Sequence, residues 1–366
     1  MEQSFSSHAI APAAVLRGEG AWSEALPRIR ALCSRPLLLG RSTSTSRLRH
    51  QLKADLSAAG LAPASAELRF DCCERDLTHL RLEAQPCDAV IAAGGGKVLD
   101  AGKLLAHRLS LPCITVPLSA ATCAGWTALS NIYSPEGAFE SDVSLNRCPD
   151  LLVFDHTLVR QAPPRTLASG VADALAKWYE ASVSSADSSD GLVQQAVQMA
   201  RVLRDQLLID SPAAMEDINS PAWVRTAEAC ALTAGVMGGL GGARCRTVAA
   251  HAVHNGLTQL PACHDALHGE KVGFGILVQL RLEERMGGNR LAAQAHRQLL
   301  PLLRQLGLPV CLDDLGLAQA SLSDLQQVCS FACRDGSDLH HLPFSVTPGA
   351  LLEALVGAAE PSPLHS

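Results

Sequence analysis

The sequence predicts an α/β N-terminal domain followed by an all-helical C-terminal domain. Over residues 1–162, short apolar runs that end in turn residues alternate with helical stretches, which favours a mostly parallel sheet. After "APPRT" (162–166), long segments rich in Ala and Leu follow with helical periodicity, and no strand-like run stands out. We therefore predict two domains, residues 1–162 and residues 163–366.

Four strands and four helices are predicted in the first domain. The strands are the apolar runs at 36–40, 88–96, 113–117 and 150–155. The helices are expected at 22–33, 44–59, 74–84 and 97–108. In the second domain the periodicity predicts helices at 167–185, 190–208, 220–236, 247–259, 268–285, 290–306, 321–334 and 347–358.

Composition excludes several classes of function. The net charge of −6 argues against a nucleic-acid surface, which needs a basic excess. Residues 109–134 carry no charge, but Pro112 and Pro117 interrupt them, so we expect a strand and a loop there rather than a membrane span. The 13 cysteines are scattered without a CxxC pair, and no signal peptide is visible at the start, which predicts reduced thiols in a cytoplasmic protein.

A glycine-rich turn, "DAVIAAGGGKVLDAGK", joins a predicted strand to a predicted helix. Gly94, Gly95 and Gly96 let backbone N–H groups approach an anion closely, and the following helix directs its positive end at the same point. Lys97 adds a charge, and Asp100 follows in the helix. This pattern predicts a cradle for a pyrophosphate; a tight turn without a ligand is the alternative.

The segment "AHAVHNGLTQLPACHDALHGEKVGFG" (250–275) concentrates four histidines within 18 positions. His251 and His254 share one face of a helix, and His268 opens the next helix. Asp173 lies on an otherwise apolar helical stretch, where an unpaired carboxylate is costly to bury. Two imidazoles and a carboxylate suit Zn²⁺ or Fe²⁺ and leave positions open for a substrate. The alternatives are polar surface histidines and an ion pair between Asp173 and Lys177.

These segments resemble the glycerol-dehydrogenase-like branch of the iron-containing (group III) alcohol dehydrogenases. The resemblance rests on "AGGGKVLDAGK", "ASGVADALAKWYEA" and the histidine segment, and it extends over nearly the whole chain. It implies a Rossmann-like nucleotide-binding domain at 1–162 and a helical metal-binding domain at 163–366, the fold shared with dehydroquinate synthases. A divalent metal and a nicotinamide cofactor are expected in the cleft between them, and a homo-oligomer is expected.

The resemblance also implies roles for individual residues. Asp173, His251 and His268 are expected to be the metal ligands, with His254 beside the metal without binding it. The expected cofactor contacts are Gly94, Gly95, Gly96, Lys97, Asp100, Arg41, Thr127, Leu129 and Tyr133.

One departure from glycerol dehydrogenases concerns the substrate. Where those enzymes resemble "ASTDAPCSALSVIY", with an acid that contacts glycerol, this chain reads "AATCAGWTALSNIY" (120–133) and has Cys123 in place of the acid. The segment is more similar to the hydroxycarboxylate dehydrogenase A type, which reduces 2-oxo acids. Without this carboxylate, an anionic substrate meets less electrostatic repulsion and binds at a lower cost in free energy. The candidates for its counter-charge are Arg244, Arg246 and Lys271.

A second departure concerns the cofactor. After the first predicted strand, members that use NAD carry an acid that binds the adenosine ribose, whereas this chain reads "LLLGRSTSTSR" (37–47). Arg41 stands in that position, so no acid repels a 2′-phosphate and a cation is available to bind it. We therefore expect NADP, with NAD as the alternative.

The sequence thus predicts a metal-dependent, NAD(P)-linked alcohol dehydrogenase or carbonyl reductase of small 2-oxo and 2-hydroxy acids. Glycerol dehydrogenase is the main alternative. A lyase similar to 3-dehydroquinate synthase, or a glycerol-1-phosphate dehydrogenase, would need clustered Lys and Arg for a phosphate, and the 119–133 loop has none. A catalytically silent nucleotide-binding protein is the last alternative, against which the complete Asp/His/His set argues.

Overall fold

The N-terminal part is built on a six-stranded parallel sheet. The computed structural model describes residues 8–360, apart from the side chains of Ala243 and Arg244. The strands of the sheet are β1 (Val15–Gly18), β2 (Pro36–Gly40), β3 (Ala64–Glu67), β4 (Ala89–Gly94), β5 (Cys113–Pro117) and β8 (Leu151–Asp155). They are arranged in the order β1-β8-β5-β4-β2-β3, and every neighbouring pair is parallel.

Helices cover both faces of this sheet. They are α1 (Ala21–Leu32), α2 (Ser46–Ala58), α3 (Glu74–Glu83), α4 (Gly96–Leu109) and the short α5 (His156–Val159). Leu37 and Leu39 pack on the side of α3 and α4, whereas Leu38 faces α1 and α2. Because the central strands are buried on both faces, they are continuous apolar runs, and all four predicted strands are confirmed.

The sequence reading missed the two edge strands. β1 and β3 lie at opposite ends of the sheet, and each is only four residues long. Their sequences, VLRG and ASAE, carry polar side chains such as Arg17 and Glu67, because an edge strand is partly exposed to solvent. An apolar run is therefore not required at these positions, and none marks them.

A separate two-stranded antiparallel hairpin follows the sheet's fifth strand in sequence. It consists of β6 (Leu129–Tyr133) and β7 (Phe139–Ser144). The expectation of a strand and loop over 109–134 is confirmed, but β7 was not predicted because its sequence, FESDVS, is largely polar. Among residues 8–360, every helix is too short or too polar to span a bilayer.

Residues beyond β8 are helical throughout the described part of the chain. The helices are α6 (Pro164–Ser184), α7 (Gly191–Glu216), α8 (Pro221–Glu228), α9 (Ala234–Arg246), α10 (Ala249–Leu257), α11 (His268–Arg285), α12 (Arg290–Gln305), α13 (Leu322–Ala332) and α14 (Pro348–Val356). The predicted α/β and helical parts are confirmed, whereas the exact domain boundary at residue 162 stays a prediction. Pro212 lies inside α7, which continues beyond the predicted end at 208.

The predicted single helix at 220–236 is interrupted. Residues Ala229–Thr233 form a π-helical segment between α8 and α9, and it buries Cys230. α9 itself is kinked at Gly242, whose φ of 67° lies in the left-handed region. All 13 cysteines are free thiols, most of them buried, as predicted. The expected cytoplasmic location and homo-oligomer stay predictions.

Candidate active site

Helix α6 presents three charged side chains on one face. Asp173, Lys177 and Glu180 are spaced four and then three residues apart, so they lie one above another along the helix. All three are buried, and Glu180 is completely inaccessible to solvent. Burying such a row of charges costs free energy unless each group is paired. The groups that face these three side chains therefore determine their role.

Two further helices bring histidines to this face. His251 and His254 lie on α10, and His268 is the first residue of α11. α11 approaches α6 so closely that a Cβ at Gly269 would lie 1.8 Å from the carbonyl oxygen of Ser169. A Cβ at Gly275 would likewise lie 2.4 Å from the carbonyl oxygen of Ala250 on α10. These contacts place the three helices close enough for their polar side chains to meet.

Asp173, His251 and His268 form one cluster of ligand atoms. The Nε2 atoms of His251 and His268 lie 3.5 Å and 3.6 Å from the same oxygen, Oδ1 of Asp173. One ligand atom from each residue lies within 4.8 Å of the others, a separation suited to a single metal ion. The structure thus brings together the three residues that the sequence reading proposed as ligands.

The protein environment favours the charged form of the carboxylate. Burial by itself would raise the pKa of Asp173, but the Lys177 ammonium, whose Nζ lies 3.4 Å from Oδ1, and the two histidines hold that pKa well below its usual range. Burial lowers the pKa of His268. The ion pair between Asp173 and Lys177 and the proposed ligand cluster therefore coexist at the same carboxylate.

Sequence reasoning missed Glu180, which orients His251. Its Oε2 atom accepts a hydrogen bond of 2.7 Å from His251 Nδ1, and its Oε1 atom accepts from the backbone N–H groups of Val248 and His251. Burial disfavours charging of His251, but the carboxylates of Glu180 and Asp173 together raise the pKa of His251 to about 9. Because Nδ1 is occupied, Nε2 is left for a ligand. The spacing of seven residues from Asp173 is the signal that could have revealed Glu180.

His254 lies beside the cluster without joining it. Its ring centre is 4.2 Å from that of His268, and its Nδ1 atom bonds to the side chain of Asn255 at 2.9 Å. Burial, together with the charges of His268 and Lys271, lowers the pKa of His254 well below its usual range. A neutral imidazole in this position fits the expected place next to a cation.

The glycine turn lies at the carboxyl end of β4. Gly94 ends the strand, Gly95 caps α4, and Gly96 is the first residue of α4. A Cβ at Gly96 would lie 2.9 Å from the side chain of Thr122, so only glycine leaves space above the helix N-terminus. Lys97, which was expected to face a pyrophosphate, is ion-paired with Asp71 and lies over the Tyr133 ring.

Asp100 points into the protein, not toward the start of the helix. It lies in the second turn of α4 and pairs with Lys103 Nζ at 3.0 Å. The same ammonium donates to the carbonyl oxygens of Thr127 and Leu129. The Asp100–Lys103 pair therefore fixes the segment that carries Thr127, Leu129 and Tyr133, three of the residues expected to contact the cofactor.

Arg41 lies in the loop after β2, and Arg49, which the sequence reading overlooked, lies on the following helix α2 and contacts this loop. Arg41 is exposed and has no hydrogen bond or ion pair with any described residue. Arg49 is buried; it donates to the carbonyl oxygen of Ser42 and to the Thr45 hydroxyl, and it pairs with Glu67. Arg49 thus holds the loop in place, while the guanidinium of Arg41 remains available.

Cys123 is buried where the loop after β5 meets α6. Only 8% of this residue is exposed, and burial raises the pKa of its thiol to about 11. Of the three candidate counter-charges, Lys271 donates to the carbonyl oxygens of Cys263 and Ala266. The side chain of Arg244 lies outside the described part of the chain.

A parallel sheet with a glycine turn at its carboxyl edge, next to a buried carboxylate and two imidazoles, defines a class of protein. The turn suits a dinucleotide phosphate, and the ligand cluster suits a divalent metal. Comparison with known proteins supports this class. The profile of the family "Iron-containing alcohol dehydrogenase" matches residues 12–156.

Individual relatives cover most of the chain. An uncharacterized oxidoreductase of Synechocystis is 52% identical over 357 residues, 97% of this chain and 92% of that protein. Glycerol dehydrogenase of Escherichia coli O6:H1 is 33% identical over 90% of both chains. Hydroxycarboxylate dehydrogenase A of Escherichia coli K12 is 35% identical over 78% of this chain and 79% of that protein.

A solved structure shares the fold over the same extent. A probable glycerol dehydrogenase from Sinorhizobium meliloti superimposes with a TM-score of 0.85 and 28% identity, covering 96% of this chain and 98% of that one. The chain belongs to the iron-containing alcohol dehydrogenase family. It is an oxidoreductase that acts on CH–OH groups.

Replacing Glu180 with Gln tests the orientation of His251. We expect Glu180→Gln to weaken zinc binding roughly 10- to 100-fold, because a neutral amide no longer fixes the Nδ1 proton as strongly. Competition with a chromophoric chelator measures this affinity. Glu283→Gln, which alters another buried carboxylate on α11, serves as the control and leaves the affinity unchanged. Equal zinc affinity in Glu180→Gln and wild type would refute this role.

Proposed function

We propose that the protein is a metal-dependent, NADP-linked dehydrogenase that interconverts small 2-oxo acids and 2-hydroxy acids. The observation that carries this proposal is the convergence of Asp173, His251 and His268 next to a buried loop in which Cys123, a neutral thiol, stands where an acid would select a polyol. The proposed substrate, cofactor and ligand set go beyond family membership, and each has its own test below.

Asp173, His251 and His268 are the proposed ligands of Zn²⁺ or Fe²⁺. The chemistry of the donor set fits such an ion, since two imidazole nitrogens and one carboxylate oxygen leave coordination positions open. The hydrogen bond from His251 to Glu180 fits it as well, because a ligating imidazole commonly donates its other N–H to a carboxylate.

The proposed cofactor site follows the carboxyl edge of the sheet. The glycine turn after β4 and the loop after β2 lie at this edge, and the hairpin strand β6 bonds to Asp100 on α4 through Ser130 and Asn131. The residues proposed to contact NADP are those expected from the sequence: Gly94, Gly95, Gly96, Lys97, Asp100, Arg41, Thr127, Leu129 and Tyr133. The ion pairs of Lys97 with Asp71 and of Asp100 with Lys103 also position the surrounding backbone.

When bound, a divalent ion at the cluster supplies a Lewis acid for a carbonyl group, and the nicotinamide supplies the hydride. The chain's own residues provide position and exclude water. Glu180 fixes the imidazole of His251, and the Asp100–Lys103 pair fixes the 127–129 segment. Burial of the Asp173 carboxylate and of Cys123 keeps the site poor in water, which strengthens its electrostatic interactions.

Glycerol oxidation is the second candidate. It is favoured by the similarity to several proteins named glycerol dehydrogenase, among them those of Escherichia coli O6:H1 and Pseudomonas putida. Assays with glycerol and NAD⁺ or NADP⁺, alongside 2-oxo acids and NADH or NADPH, separate the two candidates. A preference for glycerol, with each reaction at its own optimal pH, would overturn the proposal of 2-oxo acids.

Removing any one proposed ligand should abolish metal-dependent turnover. We expect His251→Ala, His268→Ala and Asp173→Asn to lose bound metal, measured by mass spectrometry of the dialysed proteins, and to lose activity with it. Asp173→Asn should also lower the melting temperature most, because it leaves the buried Lys177 without its carboxylate. His264→Ala, in the same segment but exposed, is the control. A fully active, metal-free variant contradicts this ligand set.

Reversing the charge at Arg41 should reverse the cofactor preference. We expect wild type to favour NADPH and Arg41→Asp to favour NADH, since an ion pair with the 2′-phosphate is worth about 1.5–3 kcal/mol, roughly a tenfold to hundredfold effect. The measurement is the ratio of kcat/KM for the two cofactors. Arg35→Asp makes the same change at the opposite end of β2 and should leave the ratio unchanged. A wild-type preference for NADH would contradict the proposal that Arg41 binds the 2′-phosphate.

Introducing an acid at Cys123 should weaken the use of 2-oxo acids. A carboxylate in this buried loop repels an anionic substrate several times more strongly than it would in water. We expect Cys123→Asp to lower the ratio of kcat/KM for 2-oxo acids to kcat/KM for glycerol at least tenfold. Cys123→Asn, whose side chain is as large as that of Asp but neutral, should change this ratio far less. If both variants lose both activities equally, Cys123 serves only for packing.

A further inference from the structure

The ammonium of Lys177 is buried with few partners. Only 5% of this residue is exposed, and its one hydrogen bond to a described residue is the 3.4 Å contact with Asp173 Oδ1. An ammonium carries three N–H donors, and burying a charge with unused donors is costly. The contact with Asp173 is long, and that carboxylate also faces two histidines. The ion pair with Asp173 therefore uses only one of the three N–H donors of the ammonium.

Lys177 lies on α6, the helix that carries Asp173 and on which the loop of Cys123 packs. The loop after β5 rests directly on α6, because a Cβ at Gly170 would lie 1.9 Å from the carbonyl oxygen of Ala120. Cys123 is packed in the same buried cluster as the α6 residues around Lys177. Among neighbouring charges, the Lys177 ammonium has the largest effect on the Cys123 thiol, although burial dominates and raises its pKa overall. Gly170 and Lys177 are seven residues apart and so share one face of α6, the face on which the loop of Cys123 rests.

Other cations near this region are engaged elsewhere or are less well placed. Lys103 bonds to Asp100 and to two carbonyl oxygens of the 127–129 segment. Lys271 bonds to two carbonyl oxygens at the end of the loop before α11. Arg246 is half-buried, and its Nε atom has no partner among the described residues. Among the described residues, Lys177 forms an ion pair with the cluster residue Asp173 and Arg246 does not, so Arg246 is the weaker candidate.

We propose that Lys177 is a specificity residue whose ammonium binds the carboxylate of a 2-oxo acid, with the acid's carbonyl group placed at the Asp173, His251 and His268 cluster. This role rests on the proposed function. With a divalent cation at the cluster, the Asp173 charge is shared between that cation and Lys177, so the site carries surplus positive charge. A carboxylate on the substrate offsets this surplus positive charge, whereas the neutral thiol of Cys123 does not.

A matched pair of substrates isolates this role. 2-Oxobutanoate and 1-hydroxybutan-2-one share the reacting carbonyl and the ethyl group, and they differ in carboxylate against hydroxymethyl. For Lys177→Met in the metal-loaded, full-length enzyme, we expect kcat/KM for 2-oxobutanoate to fall roughly tenfold to a hundredfold, mainly through KM, with 1-hydroxybutan-2-one changed far less. Lys177→Arg should retain part of the preference and covers the case in which Lys177→Met fails to fold.

Binding gives a readout independent of turnover. Oxamate, an unreactive analogue of a 2-oxo acid, should bind the complex of enzyme and NADPH, and Lys177→Met should weaken its Kd by a similar factor while bound metal stays at the wild-type level. Arg246→Met and Lys271→Met are the controls, since each removes one nearby cation; they should leave the substrate ratio and the Kd for oxamate unchanged.

Combining variants tests whether Lys177 and Cys123 act on the same group. Cys123→Asp would set a carboxylate beside the Lys177 ammonium and occupy it, so the losses from Cys123→Asp and Lys177→Met should not add in the double variant. Fully additive losses would overturn a shared role.

The remaining outcomes separate this proposal from the proposed function. If wild type reduces 1-hydroxybutan-2-one far better than 2-oxobutanoate, the proposed substrate class fails, and the role of Lys177 fails with it. If wild type prefers 2-oxobutanoate but Lys177→Met loses both substrates equally, or Arg246→Met shifts the ratio instead, only the role of Lys177 is overturned.

Discussion

The carboxylate of Asp173 is the group on which the site depends. One of its oxygens, Oδ1, faces the Nε2 atoms of His251 and His268 and the ammonium of Lys177. Burying this charge is costly, and the surrounding cationic and hydrogen-bonding groups offset the cost. Because those groups come from α6, α10 and α11, the three helices must keep a fixed relation for the carboxylate to stay ionised. Close contacts at Gly269 and Gly275 make that relation possible.

The same principle, a buried charge satisfied by a neighbouring segment, recurs at two other places in the structure. Lys103 on α4 pairs with Asp100 and donates to the backbone of the 127–129 segment. Glu180 on α6 satisfies the first N–H groups of α10 while it orients His251. Each of these charges has a structural role, yet each also fixes a group at the site. Stability and function therefore draw on the same polar contacts, and a substitution at one of them should affect both.

The strands of the sheet show which elements can be predicted from a pattern of apolar residues. β2, β4, β5 and β8 were predicted because burial on both faces requires apolar residues at every position. β1 and β3 escaped prediction because edge strands tolerate Arg17, Ser65 and Glu67. Most helices of the second half were located within a few residues, since their apolar stripes are long, but α7 continues to Glu216 and α9 to Arg246, well beyond the predicted ends at 208 and 236. The π-helical segment at Ala229–Thr233 was not foreseen, because nothing in its composition distinguishes it from an ordinary helix.

By itself, the sequence determined the arrangement of an α/β part and a helical part and the glycine turn, because periodicity and motif spacing are local properties of the chain. Asp173 was grouped with His251 and His268 by the cost of burying an unpaired carboxylate and by the family resemblance, since no local spacing joins them. Only the tertiary structure showed that Lys97 pairs with Asp71, that Arg49 anchors the loop beside Arg41, and that Glu180 orients His251. It also packed the loop that contains Cys123 on α6, the helix of Lys177, which follows Cys123 by 54 residues in the chain. Helix packing determines which of these charges, far apart in the sequence, come into contact. The local sequence around each of them does not show its partner.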